Sequence, residues 1–360
     1  MWINITKEIF EKSEFKSLNF LYQILSWYPS DSSLRYNIVV DTRNVIKTKN
    51  FIQLSSVEKN LKEFLDLEYV NFANTNSNVA YKIAYKKKEN NFNIEEAILF
   101  FNQPVSIILE NNKNDSIFVS TIIENFGNDN SVNKAKKHLE NNWLKFENAG
   151  GCSNIPNFLE MFLSQFQKLA LKNQRHLSNY FRGLIIIDSD KEYKTQASKH
   201  NNLIINLNSL GISNDQIHIL QKRMIENYMP DDIFREIKNQ LYNQTEITEW
   251  IDVYLNLEKE QKNYLNIPDG FPPKKNKFES DGKRKNIDFQ ILSLFNLNIT
   301  DINFIRLDKG FGFNGFENNS EFKNEFPKLF KKQIVNKNNL SERDGENELF
   351  DIVNKINKLL

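Results

Sequence analysis

Gly183–Asp190 reads Gly-Leu-Ile-Ile-Ile-Asp-Ser-Asp. Four consecutive apolar residues, Leu184 to Ile187, run directly into two aspartates separated by one serine. A short, wholly apolar, β-branched run is the pattern of a strand covered on both faces, as in the parallel sheet of an α/β protein. Asp188 and Asp190 then fall at the carboxyl end of that strand, the edge where open α/β sheets collect their ligands. In an extended chain residues two apart share a side, which aims both carboxylates at one ion. Carboxylate oxygens suit hard cations such as Mg²⁺. The same residues also fit a strand ending in an Asp-rich turn or a helix cap. Both readings stand on this segment alone.

The same grammar extends to either side. Val105–Leu109 is a second apolar strand; it ends in Glu110 and a polar turn, with Asp115 placed to cap a helix over Ser116–Phe126. Trp143–Phe146 reads as a short strand before Gly150-Gly151-Cys152-Ser153, where paired glycines permit a tight turn, and a helix follows over Asn157–Leu171. Downstream, the spacing predicts a helix over Tyr193–His200, a short strand at Leu203–Asn206 and a fourth sheet strand at Gln216–Leu220. Lys222, Arg223 and Glu226 follow that strand at once. Strands alternating with helices imply right-handed crossovers and a parallel, Rossmann-like sheet flanked by helices, over about residues 104–235.

Two further regions flank this unit. Residues 1–103 carry helical periodicity over 6–27, a β-like Tyr36–Val40 and a helix at Ser55–Leu67. Tyr69–Phe72 and Ala80–Tyr85 alternate as a small hairpin. Together they predict an N-terminal α+β module, whose readings include a winged helix, a partner-docking module and plain structural support. Residues 236–360 read as a mainly helical C-terminal region. Within it, 266–286 is linker-like, with prolines and the basic groups Lys274–Lys275 and Lys283–Lys285. Gly310, Gly312 and Gly315 interrupt the helices that follow. No fixed-period repeat is present.

Composition narrows the chemistry. The chain has 360 residues, with 47 basic against 46 acidic, so any nucleic-acid contact must use local patches. One cysteine, Cys152, excludes an internal disulfide framework and thiolate zinc clusters, and the four histidines lack ligand spacing. Carboxylates are therefore the plentiful metal ligands. With no apolar run of membrane-spanning length and no signal-like start, a soluble, cytoplasmic protein is expected.

Four segments in order carry a family likeness: IILENNKNDSIFV (107–119), ENAGGCSNIPNFLEMF (147–162), GLIIIDSD (183–190) and KRMIENYMP (222–230). A strand ending in Glu followed by a strand ending in Asp-x-Asp resembles the TOPRIM domain of topoisomerases, primases and OLD-type nucleases. The set is most similar to OLD-type TOPRIM nucleases and related TOPRIM-like proteins of bacterial anti-phage defence. It covers about residues 104–235. The chain departs from the family in placing Asn111 after the motif Glu, where the family usually has glycine, and it has no Gly-x-x-x-x-Gly-Lys phosphate loop. Any nucleotide-driven step would need a partner ATPase or sensor.

The resemblance implies a metal-dependent endonuclease cutting DNA, with a role in anti-phage defence. Phosphodiester hydrolysis needs an activated nucleophile and neutralised phosphate charge, which bound metal supplies. Asp188 and Asp190 are the expected ligands for Mg²⁺ or Mn²⁺. Glu110 acts as general acid or base or completes the shell, and Asp115 and Glu226 serve a second ion. Lys222 and Arg223 meet the phosphate. Against each stands a plainer reading: Glu110 as a strand-end acid, Asp115 as a cap, Glu226 as a first-turn acid, Lys222 and Arg223 as surface charges, Cys152 as a small packed residue. The rivals at the level of function are a non-catalytic scaffold binding nucleic acid or a partner ATPase, and an RNA-cleaving enzyme on the same site.

Overall fold

The computed structural model describes residues 1–27, 34–75, 78–86, 91–271, 289–295, 301–311, 322 and 324–360. The basic groups at 274–275 and 283–285, with Gly312 and Gly315, lie outside them. Among the described residues, eight strands form two sheets. β1 (Trp2–Ile5), β2 (Asn37–Val39), β3 (Val79–Ile83) and β4 (Asn91–Phe92) lie in the order β2-β1-β3-β4. β5 (Val105–Leu109), β6 (Leu144–Asn148), β7 (Gly183–Ile187) and β8 (Ile217–Ile219) lie in the order β6-β5-β7-β8. Every pairing is parallel. The protein is thus an α/β protein with two parallel four-stranded sheets, each of order second-first-third-fourth, and a helical C-terminal region.

The apolar runs form strands because both faces of the second sheet are covered. All five residues of β5 and of β7 are buried. Alternation divides them: Val105, Ile107, Leu109, Leu184 and Ile186 face one core, while Ile108, Ile185 and Ile187 face another built with Leu159, Leu163 and Leu207. At Gly183 a Cβ would overlap the Ser106 carbonyl oxygen and the Phe181 ring, so the first residue of β7 must be glycine for the strand to sit beside β5.

The first core also takes in the helix Asn112–Phe126 and the C-terminal helices Asp231–Gln240, Thr245–Leu255 and Glu348–Leu359. Glu348, 1% exposed, ties the last of these to the end of β8. Its Oε1 accepts from the Gln221 amide at 2.8 Å and lies 2.9 Å from His218 Nε2, and its Oε2 accepts from the Tyr228 hydroxyl. The segment carrying Lys222, Arg223 and Glu226 is therefore held by the C-terminal region.

The N-terminal module differs from the expected one. It is a parallel α/β layer, not helices with a hairpin, and the winged-helix reading fails with the hairpin. Tyr69–Phe72 belongs to the helix Leu61–Asn74, and β3 pairs with β1 and β4 instead. The helix expected over Ser55–Leu67 is two helices, Lys49–Val57 and Leu61–Asn74. Tyr193–His200 is a run of turns, and Leu203–Asn206 lies within the helix Asn201–Ser209, whose Leu203 and Leu207 face the core one turn apart. The start of the linker-like stretch is packed: Ile267 is fully buried, and Gly270 and Gly310 bring two backbones too close for any Cβ. Among the described residues, no helix is long and apolar enough to cross a membrane.

Candidate metal centre

The carboxyl ends of β5 and β7 lie side by side, because Leu109 pairs with Ile186. The next residues along each strand, Glu110 and Asp188, are thereby neighbours. The Asp188 amide donates to Glu110 Oε1 at 3.1 Å, and the Cys152 thiol donates to the same oxygen at 2.8 Å. The Gly151 amide donates to the Glu110 carbonyl at 3.2 Å. Gly150 and Gly151 have φ of 75° and 106°, the left-handed region that glycine adopts without strain, and so the loop after β6 folds back against Glu110.

Asn111, where the resemblance leads one to expect glycine, has φ −134°. The turn needs no left-handed residue at that point, so asparagine costs nothing there. Asn111 caps the helix Asn112–Phe126, and its amide donates to Asp115 Oδ2 at 2.9 Å. Asp115 therefore closes the first turn from inside the helix instead of standing at the cap.

Asp188 is half-buried, and its Oδ1 accepts from the Ile225 amide at 3.0 Å. That bond brings the turn Ile225–Tyr228, and with it Glu226, against the end of β7. Ser189 is buried at 1% exposure and donates to the Lys222 carbonyl at 2.7 Å. Asp190 donates its amide to the Arg223 carbonyl at 2.9 Å and has φ 55°. β7 has ended at Ile187, so strand alternation does not align Asp188 with Asp190. The left-handed turn sets the second aspartate instead, a conformation that Asp tolerates better than most residues. Its side chain is 50% exposed, with Oδ2 3.8 Å from His200 Nε2.

The electrostatics tie all five acids together. Burial raises the Asp188 carboxyl well above the usual carboxylate range, and the charges of Glu110, Glu226, Asp115 and Asp190 raise it further. Burial pushes Asp115 up to about 7 against the pull of the Asn111 amide, with Glu226 and Glu110 adding repulsion. Burial and the Glu110, Asp190 and Asp188 charges likewise hold the Cys152 thiol protonated. Mutual repulsion among ionised carboxylates is what a bound cation relieves.

Lys222 and Arg223 are brought here but kept inside, at 4% and 7% exposure. Lys222 Nζ donates to the Asp344 carbonyl at 3.0 Å and lies over the Tyr228 ring. Arg223 reaches the Tyr264 carbonyl at 3.4 Å and Glu192 at 3.9 Å, and its charge acts on Asp190 and Asp188. Sequence reading passed over Ser189, Glu192 and His200, and took Cys152 for a packing residue. Only the nearness of Cys152 to the Gly-Gly turn signalled its contact with Glu110.

Among the described residues, no three carboxylate, histidine or cysteine groups already stand in a coordinating array. The donor set still fits a hard divalent cation: it is all carboxylate oxygen, clustered at one sheet edge, and its protons are held by burial and by mutual repulsion that such an ion would offset. Compared with models of known protein families, with curated proteins and with solved structures, the chain gives no match.

Proposed function

We propose that the protein is a metal-dependent endonuclease of TOPRIM type that hydrolyses phosphodiester bonds in DNA. The observation that supports it is the meeting of Glu110, Asp115, Asp188, Asp190 and Glu226 about one half-buried carboxylate at the carboxyl edge of a parallel sheet. Asp188, Asp190 and Glu110 would hold Mg²⁺ or Mn²⁺, with Asp115 and Glu226 toward a second ion. When bound, such ions lower the pKa of a coordinated water and stabilise charge on the phosphate. The chain's own residues do the rest. The Asp188 amide fixes Glu110 at one oxygen, so the acid is held in position to exchange a proton. Asp115, poised near neutrality, is a second proton-exchanging group at working pH. Arg223 balances the inner carboxylates from behind. An effector role in anti-phage defence, with a partner ATPase or sensor, completes this reading on resemblance.

One observation favours the rival of a non-catalytic scaffold: Glu110 Oε1 is already engaged by Asp188 and Cys152, and no coordinating array is preformed among the described residues. Supercoiled plasmid incubated with Mg²⁺, Mn²⁺ or chelator separates the two. Nuclease action gives metal-dependent nicking or linearisation that Asp188→Ala abolishes. Cleavage retained in both Asp188→Ala and Asp190→Ala, or absent under every metal, sinks the nuclease. An RNA strand in a parallel reaction decides the substrate.

A further inference from the structure

Beside the carboxylates lies a cavity of about 420 Å³ whose walls are unlike theirs. Four lysines line it, Lys191, Lys194, Lys222 and Lys259, against two acids, Glu260 and Glu346. Lys191 is the residue after Asp190, and Lys222 follows β8, so the cavity opens from the same sheet edge as the acids. Among the described residues, Lys194 makes a long ion pair to Glu346, at 3.9 Å between exposed side chains. Among the described residues, no ion pair within 4.0 Å engages Lys191, Lys222 or Lys259. Lys222 is 4% exposed, and its ammonium donates to a backbone carbonyl and lies over the Tyr228 ring. Burial pushes its ammonium down to about 8 and Arg343 and Lys259 repel it, while the charges of Asp344 and Glu348 offset part of this. Lys259 also lines a second cavity of about 240 Å³, where Arg235, Lys262 and Arg343 are mixed with Asp231, Asp232 and Glu342, so the excess of lysine belongs to the first cavity.

We propose that the lysine cavity seats a backbone phosphate of the nucleic-acid strand next to the bond presented to the carboxylates. This rests on the nuclease reading for the identity of the strand. It goes beyond that reading in assigning Lys191, Lys194 and Lys259 to strand binding. Lysine acts on phosphate as a mobile point charge, suited to a backbone contact that carries no sequence information. The near-neutral chain as a whole needs such a local patch.

The test is the anisotropy of a labelled twelve-nucleotide single strand, titrated with full-length protein in chelator over a range of NaCl. The three lysines in the variant, Lys191, Lys194 and Lys259, are half-buried or exposed, so their replacement leaves the core intact. Lys191→Gln/Lys194→Gln/Lys259→Gln is expected to bind at least tenfold more weakly at low salt. Its plot of log affinity against log salt should be shallower by about 0.7, the contribution of one single-strand phosphate contact. Glu260→Gln/Glu346→Gln should bind more tightly than wild type. An unchanged slope in the triple variant overturns the assignment. So does competition by inorganic phosphate or a mononucleotide at the strand's own affinity, which would make the cavity a free-phosphate site. Asp188→Ala should keep the wild-type slope. Lysine-dependent binding without any cleavage by wild type would fail the nuclease reading and leave this one standing.

Discussion

Beyond the carboxyl ends of β1, β2, β3 and β4 stand Thr6, Val40, Ala84 and Asn93; beyond those of β5, β6, β7 and β8 stand Glu110, Ala149, Asp188 and Leu220. The two sheets have the same strand order and sense, yet they present different chemistry at the same edge. Near the carboxyl end of the first sheet, Asp41 is paired with Arg43 at 3.0 Å, and that bond holds its carboxyl below the usual range. At the second sheet Asp115 and Asp188 are pushed the other way by burial and by the neighbouring acids, Glu110 and Glu226 among them. An acid that sits with a cation in water is a satisfied surface group. Acids gathered half-buried with each other are held at a cost, and groups held at a cost mark candidate sites. The fold supplies the edge, and the residues after the strands decide what it does.

The sharpest way to break this contrast is to remove the acids. Asp188→Ala and Asp190→Ala are expected to lower metal-dependent plasmid cleavage by at least about a hundredfold, the scale of losing groups that act together on a reacting centre. Asp41→Ala should leave the rate unchanged. A comparable loss at Asp41 would mean that the sheets do not differ as argued.

The next effect is on the frame that brings Glu110 and Asp188 together. Gly183→Ala forces a Cβ against the Ser106 carbonyl, so unfolding in urea should show a loss of about 2–3 kcal/mol. Unchanged stability would show that β7 can shift and that its register does not fix the site.

Smaller, and opposite in sign, is the cost of the acids themselves. In the unfolded chain Asp115 titrates near 3.8, and in the folded protein at about 7. Between those values the folded state keeps a proton that the unfolded state has lost, so stability falls as pH rises from about 4 to about 7. Asp115→Asn keeps an acceptor for the Asn111 amide and should stabilise the protein by about 2 kcal/mol at pH 8, with the gain vanishing near pH 4. Thermal unfolding at the two pH values measures this, and a destabilised variant at pH 8 contradicts it. The smallest effect belongs to Asp41→Asn, whose exposed ion pair should leave the melting temperature within experimental scatter.

Much of the second sheet was legible because its strands are unusually plain. Val105–Leu109 and Gly183–Ile187 are apolar throughout, and a run covered on both faces leaves little else for the chain to do. The acids after them were legible for the same reason, since the strand end fixes their place. The first sheet was harder. β1 is four residues long and buries only Ile3 and Ile5, and β4 is two residues long. Tyr69, Val70 and Phe72 favour strands by type, but the helix begun at Leu61 carries through them. Contacts distant in sequence were closed to sequence reading altogether: Lys222 meets Asp344, and Glu348 holds the end of β8. So was the left-handed turn at Asp190, which replaces strand alternation in setting the second aspartate.

The most direct measurement is Mn²⁺ binding, followed by the spectrum of the free ion, with wild-type protein and Asp188→Ala at pH 8 and pH 6. A carboxylate metal centre predicts binding at pH 8 that weakens at pH 6, as Asp115 and Asp188 retain their protons, and that is lost in the variant. Wild-type protein that binds no Mn²⁺, or a variant that binds it as well as wild type, would contradict the assignment of this sheet edge as a metal centre.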